Sequence, residues 1–329
     1  MAALKLKWHK LSEKDKEKLR HIKPKVLIMG SIPIEKSQLI NLIKAQDPKS
    51  IIIIGVMLEP EVPGMEGSLH FRSETLVNLL EKLETFKDSN KLATIEYLAK
   101  IHTKYLIREL QPNKVIFING SWSRVLHYHD EYWEALNAKA QIEMASPFSS
   151  EKSAKAYATK TTALEAEALE NKWNERLNSS IAIPMEPAEI MKFCTDVSTL
   201  SWDWNGRVGA AIVKAGKVIS YSHNKVLPYE SAMLHEGGIR DKNHIPIGEG
   251  LEFYQTNHAE MGCIAKVASS EHSLEECDLY CTLFPCPFCA KVIADTPIKR
   301  IYYSGEYTNQ MGYEVLKATG KELINAANL

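Results

Sequence analysis

Residues Ser50–Val56 read SIIIIGV, a nearly continuous β-branched run with no polar face. Such a run fits a strand covered on both faces, the habit of parallel sheets flanked by helices. Lys25–Met29 (KVLIM), ended by Gly30, and Asn113–Asn119 (NKVIFIN), ended by Gly120, repeat the pattern. Gln141–Ser146 (QIEMAS) predicts a fourth strand, and helical spacing is expected over Ser37–Ala45, Ser73–Lys87 and Lys91–Leu110. Strands alternating with helices predict a mainly parallel sheet, so residues 1–150 are expected to form a Rossmann-like or kinase-like α/β domain. The basic, amphipathic start MAALKLKWHKLSEKDKEKLR is broken early by acids and is expected to be a capping helix or a loose tail.

At 329 residues the chain exceeds one ordinary core of ~150 residues, so a second domain is expected. Glu151–Asn178 is polar, Ala/Glu/Lys-rich and helical in pattern, and Pro184 and Pro187 then interrupt the chain. Residues 151–185 are therefore read as a helical linker and 186–329 as the second domain. That half again alternates. A helix over Ala188–Thr199 leads to a hairpin of Arg207–Val213 and Lys217–His223. After an irregular stretch, Lys225–Gly250, come a helix (Asn257–Ala268), a strand (Leu279–Thr282), a helix (Cys286–Ala294), a strand (Arg300–Ser304) and a helix (Gln310–Thr319).

Charge narrows the partners. Lys plus Arg is 40 against 41 Asp plus Glu, a balance that disfavours broad contact with nucleic acid. No run approaches the ~20 apolar residues of a membrane span. Five of the six cysteines, Cys263, Cys277, Cys281, Cys286 and Cys289, cluster near the C-terminus. Without a secretory segment, that clustering points to metal or redox chemistry in a reducing cytoplasm.

Two short motifs carry the chemistry: His258-Ala259-Glu260, and Pro285-Cys286-Pro287-Phe288-Cys289. Cys286 and Cys289 are three apart at an expected helix start, which puts both sulfurs on one side of the first turn. Helix N–H groups there favour negative sulfur. Alone, the pair reads as a redox dithiol or a structural zinc site, and His258 alone as a core histidine. Together, one imidazole and two thiolates supply three ligands of a tetrahedral zinc site and leave the fourth for water. Glu260 is too close in sequence to His258 to be an easy fourth ligand. It is well placed to take a proton from that water. H-x-E followed by P-C-x-x-C is the signature of zinc nucleobase deaminases.

With LYCTLFPCPFCA at Leu279–Ala290 and IKRIYYSGEY at Ile298–Tyr307, residues from about Val208 to Gly320 resemble the cytidine/deoxycytidylate deaminase superfamily, and within it the deoxycytidylate deaminase branch. The resemblance implies a three-layer α/β/α sandwich around a five-stranded mixed sheet. It implies zinc on His258, Cys286 and Cys289, with Glu260 as the proton shuttle. Asn224 matches a position where the family contacts the sugar, and it also reads as a turn-capping residue. The family's short Gly-rich stretch after that Asn is here a longer insert. Lys225, Arg240 and Lys242 in it are expected either to meet a substrate phosphate, as on a lid, or to be ordinary surface charges. Some deoxycytidine nucleotide deaminases also carry an N-terminal kinase-like domain.

Gly30-Ser31-Ile32-Pro33-Ile34-Glu35-Lys36-Ser37 follows a strand and opens a helix. It matches a P-loop except that Glu35 replaces the second glycine. Gly30, Lys36 and Ser37 read as a degenerate phosphate cradle or as an ordinary βα turn. The Glu35 charge and the N–H that Pro33 lacks argue against a working ATPase.

The expected activity is hydrolytic deamination of a cytosine deoxynucleotide to the uracil nucleotide and ammonia, with dCMP as first substrate and dCTP as second. Water attacks C4, and Glu260 carries the proton to N3 and then to the departing amine. The alternatives are a deaminase of a base within RNA or single-stranded DNA, and a non-catalytic nucleotide-binding protein with a structural zinc. Expected partners are the nucleotide, an allosteric nucleotide and further copies of the chain.

Overall fold

The structure, a computed structural model, describes residues 4–21, 23–30, 32–86, 89, 91–121, 126–178, 184–245, 250 and 254–327. In chain order the elements are β1 (Leu4–Lys7), α1 (Glu13–His21), β2 (Lys25–Met29), α2 (Lys36–Lys44), β3 (Ile51–Met57), α3 (Leu76–Lys82), β4 (Leu92–Tyr97), α4 (His102–Leu110), β5 (Lys114–Ile118), α5 (Asp130–Asn137), β6 (Gln141–Ala145) and α6 (Glu151–Leu177). There follow α7 (Pro187–Ser198), β7 (Gly209–Lys214), β8 (Lys217–His223), β9 (Lys225–Val226), α8 (Ala232–Glu236), α9 (Ile239–Asn243) and β10 (Thr256–Asn257). The chain closes with α10 (Ala259–Ala268), β11 (Cys277–Leu283), α11 (Pro287–Ala294), β12 (Arg300–Gly305), α12 (Met311–Ala318) and β13 (Glu322–Asn325). Two compact units result: Met1–Ala158 with Ser231–Ile245, and Thr159–Glu230 with Pro246–Leu329. The division falls inside α6, and part of the long insert joins the first unit.

In the first unit six strands pair in the order β1-β4-β3-β2-β5-β6, and every pairing is parallel. The order reverses between β2 and β5. Open α/β sheets bind ligands at that point, beyond the carboxyl ends of the strands. Leu27, Met29, Ile53, Ile95, Val115 and Phe117 face Leu106, Ile107 and Leu110 of α4 in one core. A Cβ on Gly30 would lie 2.6 Å from the Ile118 Cβ, so the glycine permits close packing at the reversal point. The buried Lys25 ammonium donates to the carbonyls of Leu19 (2.7 Å) and Arg20 (2.8 Å) at the end of α1. Burial drops its pKa to about 8.

Two expectations change here. Lys91–Leu110 is not one helix: Leu92–Tyr97 is strand β4, buried at every position, and only His102–Leu110 is helical. LATIEY has no period-2 alternation because both faces of an interior parallel strand are covered. Within the N-terminal stretch, Leu4–Lys7 extends the sheet as an edge strand on β4, ahead of helix α1.

The second unit is a three-layer sandwich on a five-stranded mixed sheet, ordered β13-β12-β11-β7-β8. β7 runs antiparallel to β8 and β11, while β11, β12 and β13 are parallel. Alternate residues of β7 divide the layers. Ala210 and Ile212 face Ala259, Cys263 and Val267 of α10 and Cys289, Ala290 and Ile293 of α11. Ala211 and Val213 face Ile190, Phe193, Cys194 and Val197 of α7, with Leu169 and Trp173 of α6 behind them. Arg176 grips Glu189 with two 2.6 Å hydrogen bonds, tying α6 to α7. At Gly209 a Cβ would overlap the Cys194 carbonyl, so α7 lies directly on β7. Among the described residues no helix is long and apolar enough to cross a membrane.

Candidate metal centre

Two helix starts build the centre. His258 is the N-cap of α10, and Glu260 lies in its first turn. Cys286 is the N-cap of α11, Pro287 follows in the first turn, and Cys289 completes that turn. Proline is pre-shaped for a first helical turn and lacks only an N–H that would go unpaired there. The local sequence therefore sets both where α11 begins and that its two sulfurs share one side.

The packing of α10 and α11 on the same face of the sheet then joins the motifs. The His258 Nδ1 lies 3.3 Å from the Cys286 sulfur and 3.4 Å from the Cys289 sulfur. All three donor atoms fall within 4.8 Å of one another. In a tetrahedral centre with bonds of about 2.3 Å to sulfur and 2.0–2.1 Å to nitrogen, the two kinds of donor stand about 3.6 Å apart. The observed spacing and the donor set both fit zinc. All six cysteines are free thiols, so neither sulfur is consumed in a disulfide.

The electrostatics suit a metal ligand set. The Cys286 thiol is pushed down to about 4, first by its hydrogen bond with Cys289 and then, against burial, by that with His258. The Cys289 thiol is raised by the same Cys286 partner and by burial. Burial opposes charge on His258, yet Cys286, Glu260 and Asp203 hold its pKa up at about 8. Glu260 is 3% exposed, and burial raises its carboxyl above the usual carboxylate range. A buried carboxyl that takes up a proton readily is suited to hold and pass one.

The other expected site residues are distributed as follows. Asn224 is buried at the end of β8, and its side chain is engaged locally. Its Oδ1 accepts from the Val208 N–H at 2.7 Å, and its Nδ2 donates to the Gly206 carbonyl at 2.8 Å. Asn224→Ala is thus expected to lower the unfolding free energy by about 2–4 kcal/mol without any ligand, because two buried backbone groups lose partners. Denaturant titration of the two proteins checks this.

Lys225 is paired in register with Asn257, next to His258, and its ammonium stands 3.8 Å from Glu230. Arg240 and Lys242 lie on α9 in the first unit, Arg240 buried and Lys242 exposed. Gly30 ends β2, and Lys36 and Ser37 are exposed at the start of α2. The Glu35 carboxylate beside them accepts from the Ser149 N–H and hydroxyl at 2.8 and 2.9 Å. Trp202 and Trp204 are both core residues.

Asp203 escaped sequence reasoning. Its carboxylate accepts from the Asn205 N–H at 2.8 Å and lies 3.4 Å from the Asn224 amide nitrogen. Thr256 also hydrogen-bonds to it, and burial raises its pKa. The signal was a carboxylate between two tryptophans, a poor place for a surface charge. Tyr254 was missed too; its ring meets His258 edge-on at 5.7 Å.

Residues 184–305 match the family model described as the cytidine and deoxycytidylate deaminase zinc-binding region. That segment is similar in sequence to zinc-binding deaminase domains, and it contains the three converging donors His258, Cys286 and Cys289. The deoxycytidylate deaminase of Enterobacteria phage T2 is 39% identical over 74 residues, 22% of this chain and 39% of its own length. An uncharacterized deaminase of Aliivibrio fischeri is 31% identical over 106 residues, 32% of this chain and 63% of its length. The crystal structure of dCMP deaminase from cyanophage S-TIM5 with dCMP and dUMP is 29% identical, covering 43% of this chain and 98% of that one, with a TM-score of 0.33. The chain thus spans about two fifths of the length of the phage T2 relative.

Proposed function

We propose that this protein is a zinc-dependent hydrolytic deaminase of a cytosine deoxynucleotide, with dCMP as first substrate and dCTP as second. One observation carries the reading: His258, Cys286 and Cys289 converge with a buried carboxyl, Glu260, on the same helix turn as the imidazole. Bound zinc supplies Lewis-acid activation of water at neutral pH. Glu260 takes the proton that water gives up on attack at C4 and delivers it to ring N3, then takes the second proton from the new C4 hydroxyl and gives it to the amine as the C4–N bond breaks. A purely structural zinc site has no use for that acid. The match to the deaminase family model and the likeness to a phage deoxycytidylate deaminase support the substrate class.

Lys225 lies in the ladder that leads into His258, which supports contact with phosphate, and contact of Asn224 with the sugar belongs to the same proposal although its side chain is held by Val208 and Gly206. Contact of Arg240 and Lys242 with a substrate phosphate belongs to the same proposal. Assembly with further copies and an allosteric nucleotide belong to the same proposal. The exposed Phe288, Val292, Met311 and Tyr313 on the packed helices α11 and α12 support assembly. Six free thiols support a cytoplasmic setting.

The test is ammonia release from cytosine and adenine nucleosides, their mono-, di- and triphosphates, and single-stranded oligonucleotides. Turnover of dCMP above the rest is expected. Activity on oligonucleotides alone would replace the free nucleotide with a polymer. No ammonia from any of them, with zinc bound, would leave a non-catalytic protein.

A further inference from the structure

The buried carboxylate of Asp203 has no part in the chemistry assigned above. It belongs to a knot of buried polar groups formed where the chain between α7 and β7 wraps the end of β8. The Ser201 hydroxyl donates to the Asn224 carbonyl at 2.8 Å and accepts from the Asp203 N–H at 3.2 Å. Asp203 Oδ1 accepts from the Asn205 N–H at 2.8 Å, and Oδ2 lies 3.4 Å from Asn224 Nδ2. Asp203 is 3% exposed, between the fully buried Trp202 and Trp204. A carboxylate taken out of water is costly unless hydrogen bonds or opposite charge compensate.

The groups that compensate lead toward the metal centre. Thr256 hydrogen-bonds to the same carboxylate. It lies on β10, whose partner β9 follows Asn224 directly, and all of these residues belong to the second unit, as the three donors do. His258 comes two residues after Thr256, its backbone still extended at φ −68° and ψ 152°. Side chains two apart on an extended chain point to the same side. Thr256 and His258 therefore face one way, and Asp203 stands on that side. The carboxylate and the imidazole attract each other there.

The three donors differ in how they are held. Cys286 and Cys289 share the first turn of α11, so one helix start fixes both. His258 instead arrives from a ladder of two residue pairs, Val226 with Thr256 and Lys225 with Asn257. So short a pairing is a weak restraint by itself. Asp203 adds a buried tie to each side of it, through Asn224 ahead of β9 and Thr256 on β10.

We infer that Asp203 is a positioning residue of the metal centre: through Thr256 it fixes the strand that delivers His258, and its negative charge on the imidazole side strengthens the hold of the donor set on a divalent cation. It is not one of the converging donors. Outer partners of this kind orient a ligand and raise its basicity. The inference rests on the zinc reading of His258, Cys286 and Cys289; it does not depend on which nucleotide is the substrate.

The test compares the full-length wild type with Asp203→Asn by zinc titration against a chromophoric chelator, and by Tm with and without zinc. The amide keeps the size of the side chain and one acceptor for the Asn205 N–H, and it loses the charge and the second acceptor. Zinc affinity is expected to fall about tenfold to a hundredfold, the usual cost of losing an outer partner of a metal ligand. The rise in Tm on adding a fixed amount of zinc is expected to shrink with it. A merely structural role would lower the Tm of the zinc-free and zinc-loaded protein alike and leave the affinity unchanged; that result overturns the inference. If Asp203→Asn does not fold, Thr256→Val, which removes the hydroxyl and keeps the shape, is expected to weaken zinc in the same direction and by less; an unchanged affinity there overturns it. A wild type that binds zinc and deaminates nothing fails the deaminase reading, and the affinity still decides the role of Asp203. A wild type that takes up no zinc overturns both.

Discussion

Glu260→Gln is expected to abolish deamination while leaving the metal centre intact. The amide matches the carboxyl in shape, so α10 keeps its packing and His258 keeps its place at the helix start. What the amide cannot do is carry the first proton from water to N3 and the second from the C4 hydroxyl to the amine. General acid–base groups contribute about 10²–10⁴-fold, and here one residue is asked to act in both directions, so a loss near the upper end of that range is expected. Burial has already lifted the Glu260 carboxyl toward its protonated form. Metal analysis beside the rate assay separates the outcomes. Zinc retained with kcat lost fits a proton shuttle. Zinc lost with it would make Glu260 part of the ligand field.

Removing the metal should cost both activity and stability. A chelator is expected to take the protein from about one zinc per chain to almost none, with deamination falling below detection. A ligand held at about 100 times its Kd stabilises by about 2.7 kcal/mol, and for a domain of this size that corresponds to a fall in Tm of roughly 5–10 °C. Added zinc should restore both in the wild type. Cys289→Ala should resemble the chelated protein and gain nothing from zinc, since a thiol at the start of α11 is missing. Calorimetry with and without zinc reads the shift. An unchanged Tm after complete removal would mean that the three donors stay assembled by packing alone.

The metal centre was legible because each half of it is local. His258-Ala259-Glu260 and Pro285-Cys286-Pro287-Phe288-Cys289 place their groups through one turn of helix each, and Pro287 marks where α11 starts. Residue chemistry then leaves few metals to choose from. The interior strands β2, β3 and β5 were legible for a similar reason, since a β-branched run with no polar face has one stable setting. Asn224 was only half legible. Its type suits a turn or a sugar, and the partners that engage it, Val208 and Gly206, are distant in sequence.

Strand β4 was misread because LATIEY carries no period of its own; β3 and β1 on either side make it a strand. The insert shows the same limit on a larger scale. Arg240 and Lys242 follow strand β9 in the sequence, but Gly120, Asn119 and Ala154 draw their segment into the other unit. The sequence by itself determined the chemistry: which atoms can bind a metal, which acid stands next to them, and which runs must be buried. Only the tertiary structure decided which unit owns each loop and which polar groups remain available. Ligand type and helical phase are short-range properties of a few neighbouring residues, whereas docking and hydrogen-bond satisfaction depend on partners a hundred residues away.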